Sequence, residues 1–150
     1  MHGADHEQNR RAGTENVLEI VGLGKAADLI SQNLLNYQSQ YAQKRDFLHT
    51  LLKEAFPNIK RNGHQELCLP NTLSISFPNE EANVLISKLK NVAVSAGAAC
   101  HSEGVDVSAV LKAMAIPMEF AMGTIRFSTG RSTSDEDIKN VVEELKKALK

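Results

Sequence analysis

A long helical repeat of apolar residues dominates the first third of this sequence. From Val17 to about Ala55, apolar side chains recur at the three- and four-residue spacing of an α-helix: Leu23, Ala26, Ala27, Ile30, Leu34, Tyr37, Tyr41, Leu48, Leu51 and Leu52. Thr14 or Asn16 is placed to cap the start of this helix, and Pro57 ends it. The polar stretch 31–40 is a candidate position for a kink. A chain of 150 residues is long enough for one domain with its own core, against which this helix can pack.

Short strands are predicted in the rest of the chain. In "LPNTLSISFPN", Leu73, Ile75 and Phe77 alternate with polar residues between two prolines, which indicates a strand with one face on a core. The segment "VAVSA" predicts a second strand, and "GTIRFST" a third that places Arg126 on its polar face.

Helices are predicted between and after these strands. The segments "EEANVLISKLK" and "DVSAVLKAM" indicate short helices, the latter with Asp106 as its cap, and residues 133–150 an amphipathic closing helix. Residues 132–134 supply the capping candidates of this closing helix, with Glu136 and Asp137 placed for a capping box. Helices mixed with short strands, without regular alternation, predict an α+β fold: a small, mostly antiparallel sheet covered by helices.

Composition argues against several classes of function. A formal net charge of −1 gives no basic excess for binding nucleic acid, and no apolar run approaches the roughly 20 residues of a membrane span. The N-terminus has no apolar segment after its charges, so we expect a cytoplasmic protein. Cys68 and Cys100 form neither a CxxC pair nor a zinc pattern, so we expect no metal site. We expect the two thiols to be reduced, and a disulfide between them is the alternative.

Cys100 is the first candidate functional residue. It lies in "SAGAACHSEG", where nothing bulky is available to bury it. The start of the following helix and the adjacent His101 would both lower the pKa of its thiol. The segment therefore predicts an accessible, mobile nucleophile, and the alternative is an ordinary small residue in a loop.

Two further segments carry groups suited to binding anions. Arg126 sits in mid-strand, where a fixed guanidinium suits bidentate capture of a carboxylate; a surface ion pair is the alternative. In "RRAGTEN", Gly13 permits a tight turn, and Thr14 offers a hydroxyl just before a helix. Such a helix start is suited to binding a phosphate, and a simple N-cap is the alternative.

These segments, in this order, resemble the C-terminal small domain of the cysteine desulfurase and selenocysteine lyase family. Its members are pyridoxal-phosphate enzymes of the class V aminotransferase type. The resemblance covers essentially the whole chain, residues 1–150, through four segments: "HGADHEQNRRAGTENV", "LPNTLSISF", "SAGAACHS" and "IRFSTGRSTS".

The resemblance implies a role for each candidate. Cys100 matches the nucleophile that takes sulfur or selenium from the substrate and becomes a persulfide or selenopersulfide. Arg126 matches the arginine that binds the substrate carboxylate, and Thr14 the threonine that reaches the cofactor phosphate of the neighbouring subunit. L-Cysteine or selenocysteine is the implied substrate, and a homo-oligomer the implied assembly.

The chain also departs from the family pattern. The Schiff-base lysine of the family follows a histidine directly, and no His-Lys pair occurs here. We therefore expect the cofactor-binding large domain to be absent, no pyridoxal phosphate bound covalently to this chain, and no activity of the chain alone. Three hypotheses follow: part of an enzyme that works with a cofactor-domain polypeptide, a stand-alone carrier that passes persulfide sulfur to an acceptor protein, or a non-catalytic association module.

Overall fold

The fold is that of an α+β chain in two units. The computed structural model describes the backbone of residues 2–101 and 104–150, and the side chains of these residues except 98–101 and 104–106. One unit ends at Asn36 and the other begins at Tyr37. The elements in chain order are α1 (His6–Asn9), α2 (Val17–Ala55), β1 (Lys60–Arg61), β2 (Thr72–Ser76), α3 (Ala82–Lys88), β3 (Ser95–Ala96), β4 (Ala98–His101), β5 (Gly104–Val107), α4 (Ala109–Ala113), α5 (Met118–Ala121), β6 (Thr124–Ser128) and α6 (Asp135–Ala148).

The unit ending at Asn36 contains α1 and the first part of α2. Gly13 has a φ of 86°, a left-handed conformation that glycine adopts without strain. Asn16 caps α2, because its Oδ1 accepts the backbone N–H of Glu19 at 3.4 Å. The predicted bounds of α2 are confirmed, and residues 31–40 are helical throughout. Many apolar side chains of α2 in this unit are exposed: Val17, Leu18, Ile20, Val21, Leu23, Leu29, Ile30, Leu34 and Leu35.

A four-stranded antiparallel sheet forms the centre of the unit that begins at Tyr37. Its strand order is β1-β2-β6-β3, so β2 and β6 are the inner strands. Leu73 lies opposite Phe127 and Ile75 opposite Ile125, which places the apolar side chains of both strands on one face. This sheet confirms the predicted α+β class.

The core lies on that apolar face. The side chains that fill it come from the sheet, the second part of α2, α3 and α6, and are almost fully buried: Leu48, Leu52, Leu73, Ile75, Phe77, Leu85, Ile125, Phe127, Ile138, Val142 and Leu145. Burial of such side chains contributes about 1.5–3 kcal/mol each, so this face holds the unit together.

Helix capping agrees with the sequence prediction at α6 and differs at α4. Ser134 and Asp137 form the predicted capping box, with the N–H of Asp137 donating to Ser134 Oγ at 3.1 Å. The prediction that Asp106 caps α4 is wrong. Asp106 belongs to β5, and Ser108 caps α4 by accepting the N–H of Leu111 at 3.3 Å. The N-cap residue directly precedes a helix, whereas Asp106 lies three residues before Ala109, the first residue of α4.

No helix within the described ranges is long and apolar enough to cross a membrane.

Candidate functional site

Arg126 projects from the polar face of the sheet, as predicted. Its neighbours Ile125 and Phe127 are buried at 0% and 3% relative exposure, whereas Arg126 is exposed. Its Nη2 donates to Ser95 Oγ at 3.3 Å. Among the side chains that the structure describes, no carboxylate pairs with this guanidinium, so it keeps donors available for an acidic ligand.

A cavity of about 370 Å³ opens beside Arg126. Its wall combines polar groups from the sheet with apolar groups from α4, and the lining residues are Asn62, Gly63, Ser74, Ala96, Gly97, Ser108, Val110, Leu111, Met114, Thr124 and Arg126. The volume falls within the range of small-molecule sites. A guanidinium at the wall of such a cavity is placed to bind a carboxylate that enters it.

The polar side chains of the cavity follow the register of the sheet. Ser74 lies opposite Arg126, and Arg126 lies opposite Ser95. The backbone N–H of Asn62 donates to the carbonyl oxygen of Ser74 at 2.9 Å, which continues the β1–β2 pairing by one residue. Residues directly opposite each other present their side chains on the same face, so these four form one polar row across the sheet.

A second set of polar groups lies beside this row, two residues further along β2 and β6 on the same face of the sheet. The Asn62 Nδ2 group donates to Ser76 Oγ at 2.7 Å, and the hydroxyls of Ser76 and Thr124 lie 2.8 Å apart. The Thr124 hydroxyl donates to the carbonyl oxygen of Phe120 at 3.0 Å. Asn62 is not predicted as a site residue from the sequence, because an asparagine followed by a glycine is typical of a turn.

The backbone of Cys100 lies in a hairpin that begins at the cavity wall. Gly97 lines the cavity, donates its N–H to the Thr124 carbonyl at 2.7 Å, and accepts the N–H of Ser108 at 3.3 Å. β4 starts at the next residue and pairs with β5, with Cys100 opposite Val105. The side chain of Cys100 lies outside the described residues, so its role and its accessibility stay predictions.

Thr14 belongs to the other unit and is exposed. Its carbonyl oxygen accepts Arg11 Nη2 at 3.2 Å, and Asn16 rather than Thr14 provides the cap of α2. The hydroxyl of Thr14 is thus not used as a helix cap. Its predicted contact with a cofactor phosphate stays a prediction.

Cys68, the second thiol, is half-buried beside two arginines. Arg45 Nη1 lies 3.2 Å and Arg61 Nη2 3.6 Å from its Sγ. Arg45 also forms a bidentate pair with Asp46, at 2.8 Å and 3.0 Å. This hydrogen bonding lowers the pKa of the Asp46 carboxyl and raises the pKa of Arg45. Cys68 does not line the Arg126 cavity.

The Arg126 cavity does not fit a covalently bound pyridoxal phosphate. Such a cofactor needs a lysine amine for its Schiff base, and no lysine is found among the described residues that line the cavity. The cavity therefore offers recognition of an acidic ligand, and the chain's own residues supply no Schiff base there.

The sequence of this chain is similar to a known protein family and to individual proteins of known activity. Residues 1–141 match the aminotransferase class-V family. The chain is 36% identical over 149 residues to cysteine desulfurase IscS of Pectobacterium atrosepticum, covering 99% of this chain and 37% of that protein. It is 34% identical over 151 residues to cysteine desulfurase IscS of Dictyoglomus turgidum, covering 99% of this chain and 38% of that protein. The chain thus spans well under half the length of these relatives.

Solved structures give the same result for the fold. The chain superposes on a NifS-like protein from Rickettsia africae with a TM-score of 0.83 at 29% identity, covering 99% of this chain and 39% of that one. A second NifS-like protein gives a TM-score of 0.84 at 28% identity, with coverages of 99% and 38%. The predicted resemblance is confirmed: this chain belongs to the class-V aminotransferase family, whose cysteine desulfurases depend on pyridoxal phosphate.

Proposed function

We propose that this chain is the part of a cysteine desulfurase that binds the substrate carboxylate and receives the sulfur. The observation that carries the proposal is Arg126, an exposed guanidinium without a described carboxylate partner at the wall of a cavity of about 370 Å³. The similarity to two cysteine desulfurases over 99% of the chain supports L-cysteine as the ligand, and selenocysteine is the alternative.

Arg126 binds the carboxylate of the substrate in this proposal. Its position between two buried strand residues fixes the backbone, and the planar guanidinium is pre-organised for paired hydrogen bonds to a carboxylate. The contact with Ser95 Oγ orients the group from one side and leaves other N–H donors for the ligand.

Cys100 receives the sulfur atom. In the overall reaction the Cβ–S bond of the substrate cysteine breaks and an S–S bond forms on Cys100. The thiol of Cys100 becomes a persulfide, and the substrate leaves as alanine, so atoms and electrons balance. The support is positional: the hairpin that carries Cys100 starts at Gly97, which lines the Arg126 cavity.

Pyridoxal phosphate and its lysine come, in this proposal, from polypeptide outside these 150 residues, and Thr14 contacts the cofactor phosphate of a neighbouring subunit. The exposed apolar side chains of α2 support such an association. Leu18, Leu23 and Leu35 are 82%, 72% and 81% exposed. Exposed apolar side chains grouped on one segment are typical of a surface that contacts another protein. We propose that the cofactor-binding polypeptide covers them.

A chimera tests this function. The matching part of the Pectobacterium atrosepticum relative is replaced by this chain, and sulfide release from L-cysteine is measured. We expect cysteine-dependent release that is abolished by Cys100→Ser and by Arg126→Gln, and retained by Cys68→Ser. A folded chimera that binds pyridoxal phosphate and releases no sulfide, or that keeps full activity in Cys100→Ser, would contradict the proposal.

A further inference from the structure

We propose that the outer edge of β4, the side turned away from β5, is a docking site for a sulfur-acceptor protein. An extended segment of that protein, with a thiol of its own, adds to β4 as a further strand opposite Cys100. This inference rests on the proposed function, because the acceptor takes the sulfur that Cys100 holds as a persulfide. It goes beyond that function by assigning to the chain a surface that selects the acceptor.

The pairing of β4 with β5 shows which backbone groups of β4 are used within the hairpin. Directly opposite residues of an antiparallel pair alternate between hydrogen-bonded and non-hydrogen-bonded positions. The N–H of Ser108 donates to the carbonyl oxygen of Gly97 at 3.3 Å. This bonded pair continues the register of the hairpin by one residue beyond Ala98, which lies opposite Val107. Ala98 and Cys100 are therefore non-hydrogen-bonded positions toward β5.

The backbone N–H and carbonyl groups of these two positions face the outer edge of β4. In a planar trans peptide the N–H of Ala98 points opposite to the carbonyl of Gly97, and that carbonyl faces Ser108. Cys100 lies two residues further along the strand and repeats the direction of Ala98. Within the described ranges, β4 pairs with β5 alone. Its outer edge therefore offers backbone donors and acceptors to a further strand.

This edge lacks the features that discourage strand addition elsewhere in the fold. The edge strands of the four-stranded sheet, β1 and β3, are two residues long, and β1 consists of the charged pair Lys60–Arg61. Short and charged edge strands resist pairing with another chain. β4 is four residues long, and Ala98–His101 contains no lysine, arginine or proline. β5 contains the charged residue Asp106, which leaves the edge of β4 as the better template.

Strand addition would bring the thiol of the acceptor to the persulfide through register. Paired strands lie about 5 Å apart, so the acceptor residue opposite Cys100 is its nearest neighbour across the pair. The acceptor thiolate attacks the outer sulfur of the persulfide. The S–S bond on Cys100 breaks as an S–S bond forms on the acceptor, and the electron pair of the broken bond stays on the sulfur of Cys100. Cys100 regains the proton that the acceptor thiol gives up, so no further reactant is needed.

Amide hydrogen exchange of the 150-residue chain, followed by NMR, tests the docking edge. The probe is a blocked, reduced pentapeptide with a central cysteine flanked by valine and threonine, which favour strands. We expect it to slow exchange of the Ala98 and Cys100 amides by about tenfold or more at saturation, because these N–H groups face the added strand. The Ala99 and His101 amides, which face β5, should not change. The same peptide with alternate backbone nitrogens methylated is the matched control and should have no effect.

Sulfur transfer in the chimera tests what the edge does. After loading with L-cysteine, mass spectrometry measures the sulfur gained by the pentapeptide for each persulfide present on Cys100. Ala98→Pro removes the N–H that faces the added strand, at a position where an edge strand accepts proline, and should lower this transfer about tenfold. Ala98→Val keeps the N–H and should retain the transfer. With the unaltered chimera, the methylated peptide should receive sulfur as slowly as the pentapeptide does from Ala98→Pro.

The outcomes separate this inference from the proposed function. Unchanged exchange at Ala98 and Cys100, or equal transfer to the two peptides, would overturn the docking edge and leave the persulfide on Cys100 standing. Exchange that slows with rising chain concentration in the absence of peptide would assign the edge to a second copy and overturn it too. A chimera that releases sulfide without any persulfide on Cys100 would overturn the proposed function, and the acceptor's role with it.

Discussion

The hydroxyl groups of Ser76 and Thr124 lie 2.8 Å apart across the two inner strands, and Thr124 also lines the Arg126 cavity. Both residues are almost fully buried, at 0% and 1% exposure. They belong to the polar face of the sheet, where Asn62 Nδ2 also reaches Ser76. The cavity wall at Asn62 and Thr124 therefore belongs to a buried hydrogen-bond network that contributes to stability.

We expect Ser76→Ala to lower the free energy of unfolding by about 1–3 kcal/mol, because it leaves the Asn62 amide without its nearest acceptor. Urea denaturation of Ser76→Ala, Thr124→Val and the double variant measures how strongly the two hydroxyls are coupled. Strictly additive effects of the two substitutions would show that the hydroxyls do not act as one network.

The sequence predicted the architecture better than the site. Alternation in 72–76 and 124–128 identified the two inner strands, because one face of each is buried in the core and the other is polar. The sequence does not predict the hairpin of β4 and β5. The alanines of β4 show no alternation of apolar and polar residues, and Asp106 of β5 precedes a helical pattern that favours a helix cap at that position. The sequence predicts the site only in part. It identifies Arg126, because a charged residue within a strand is unusual, but not Asn62, whose place in the site depends on its pairing with Ser74 in the folded sheet.

Gly123→Ala should destabilise the fold strongly. A Cβ at Gly123 would lie 2.0 Å from the carbonyl oxygen of Phe77, a backbone atom that cannot move aside without disturbing β2. We expect a loss of about 3 kcal/mol or more in the free energy of unfolding, measured by urea denaturation. Gly130→Ala is the matched control, since its Cβ would meet only Thr133 Oγ1 at 4.0 Å, and should change stability by less than about 0.5 kcal/mol. Similar losses in both variants would contradict the close approach at Gly123.

Arg126→Gln should abolish binding of L-cysteine to the chain with little change in stability. Arg126 is exposed, and its described contact is one hydrogen bond to Ser95, so we expect the free energy of unfolding to change by about 0.5 kcal/mol or less. Arg131→Gln provides the control, because Arg131 is also exposed and does not line the cavity. Calorimetric or NMR titration that finds equal losses in both variants would point to a general charge effect instead of a carboxylate site.

Stability should fall in acid partly because of Asp46. Its pairing with Arg45 lowers the pKa of the carboxyl in the folded state below the ordinary value of 3.8. The stabilisation is therefore fully present above that value and is lost as the pH falls through the lowered pKa. Asp46 is 55% exposed, so the effect should stay within about 1 kcal/mol. Denaturation at pH 7 and at pH 3 should show a smaller pH difference in Asp46→Asn; an unchanged difference would contradict the pairing.

The central claim is that Cys100 takes up the sulfur released from a substrate whose carboxylate is bound by Arg126. Mass-spectrometric peptide mapping of the chimera after brief incubation with L-cysteine, with thiols trapped by alkylation, measures this directly. We predict one added sulfur atom on the peptide that contains Cys100, none on the peptide that contains Cys68, and loss of the added sulfur in Arg126→Gln. Sulfur found equally on both cysteines, or absent from Cys100 while sulfide is being released, would contradict the account.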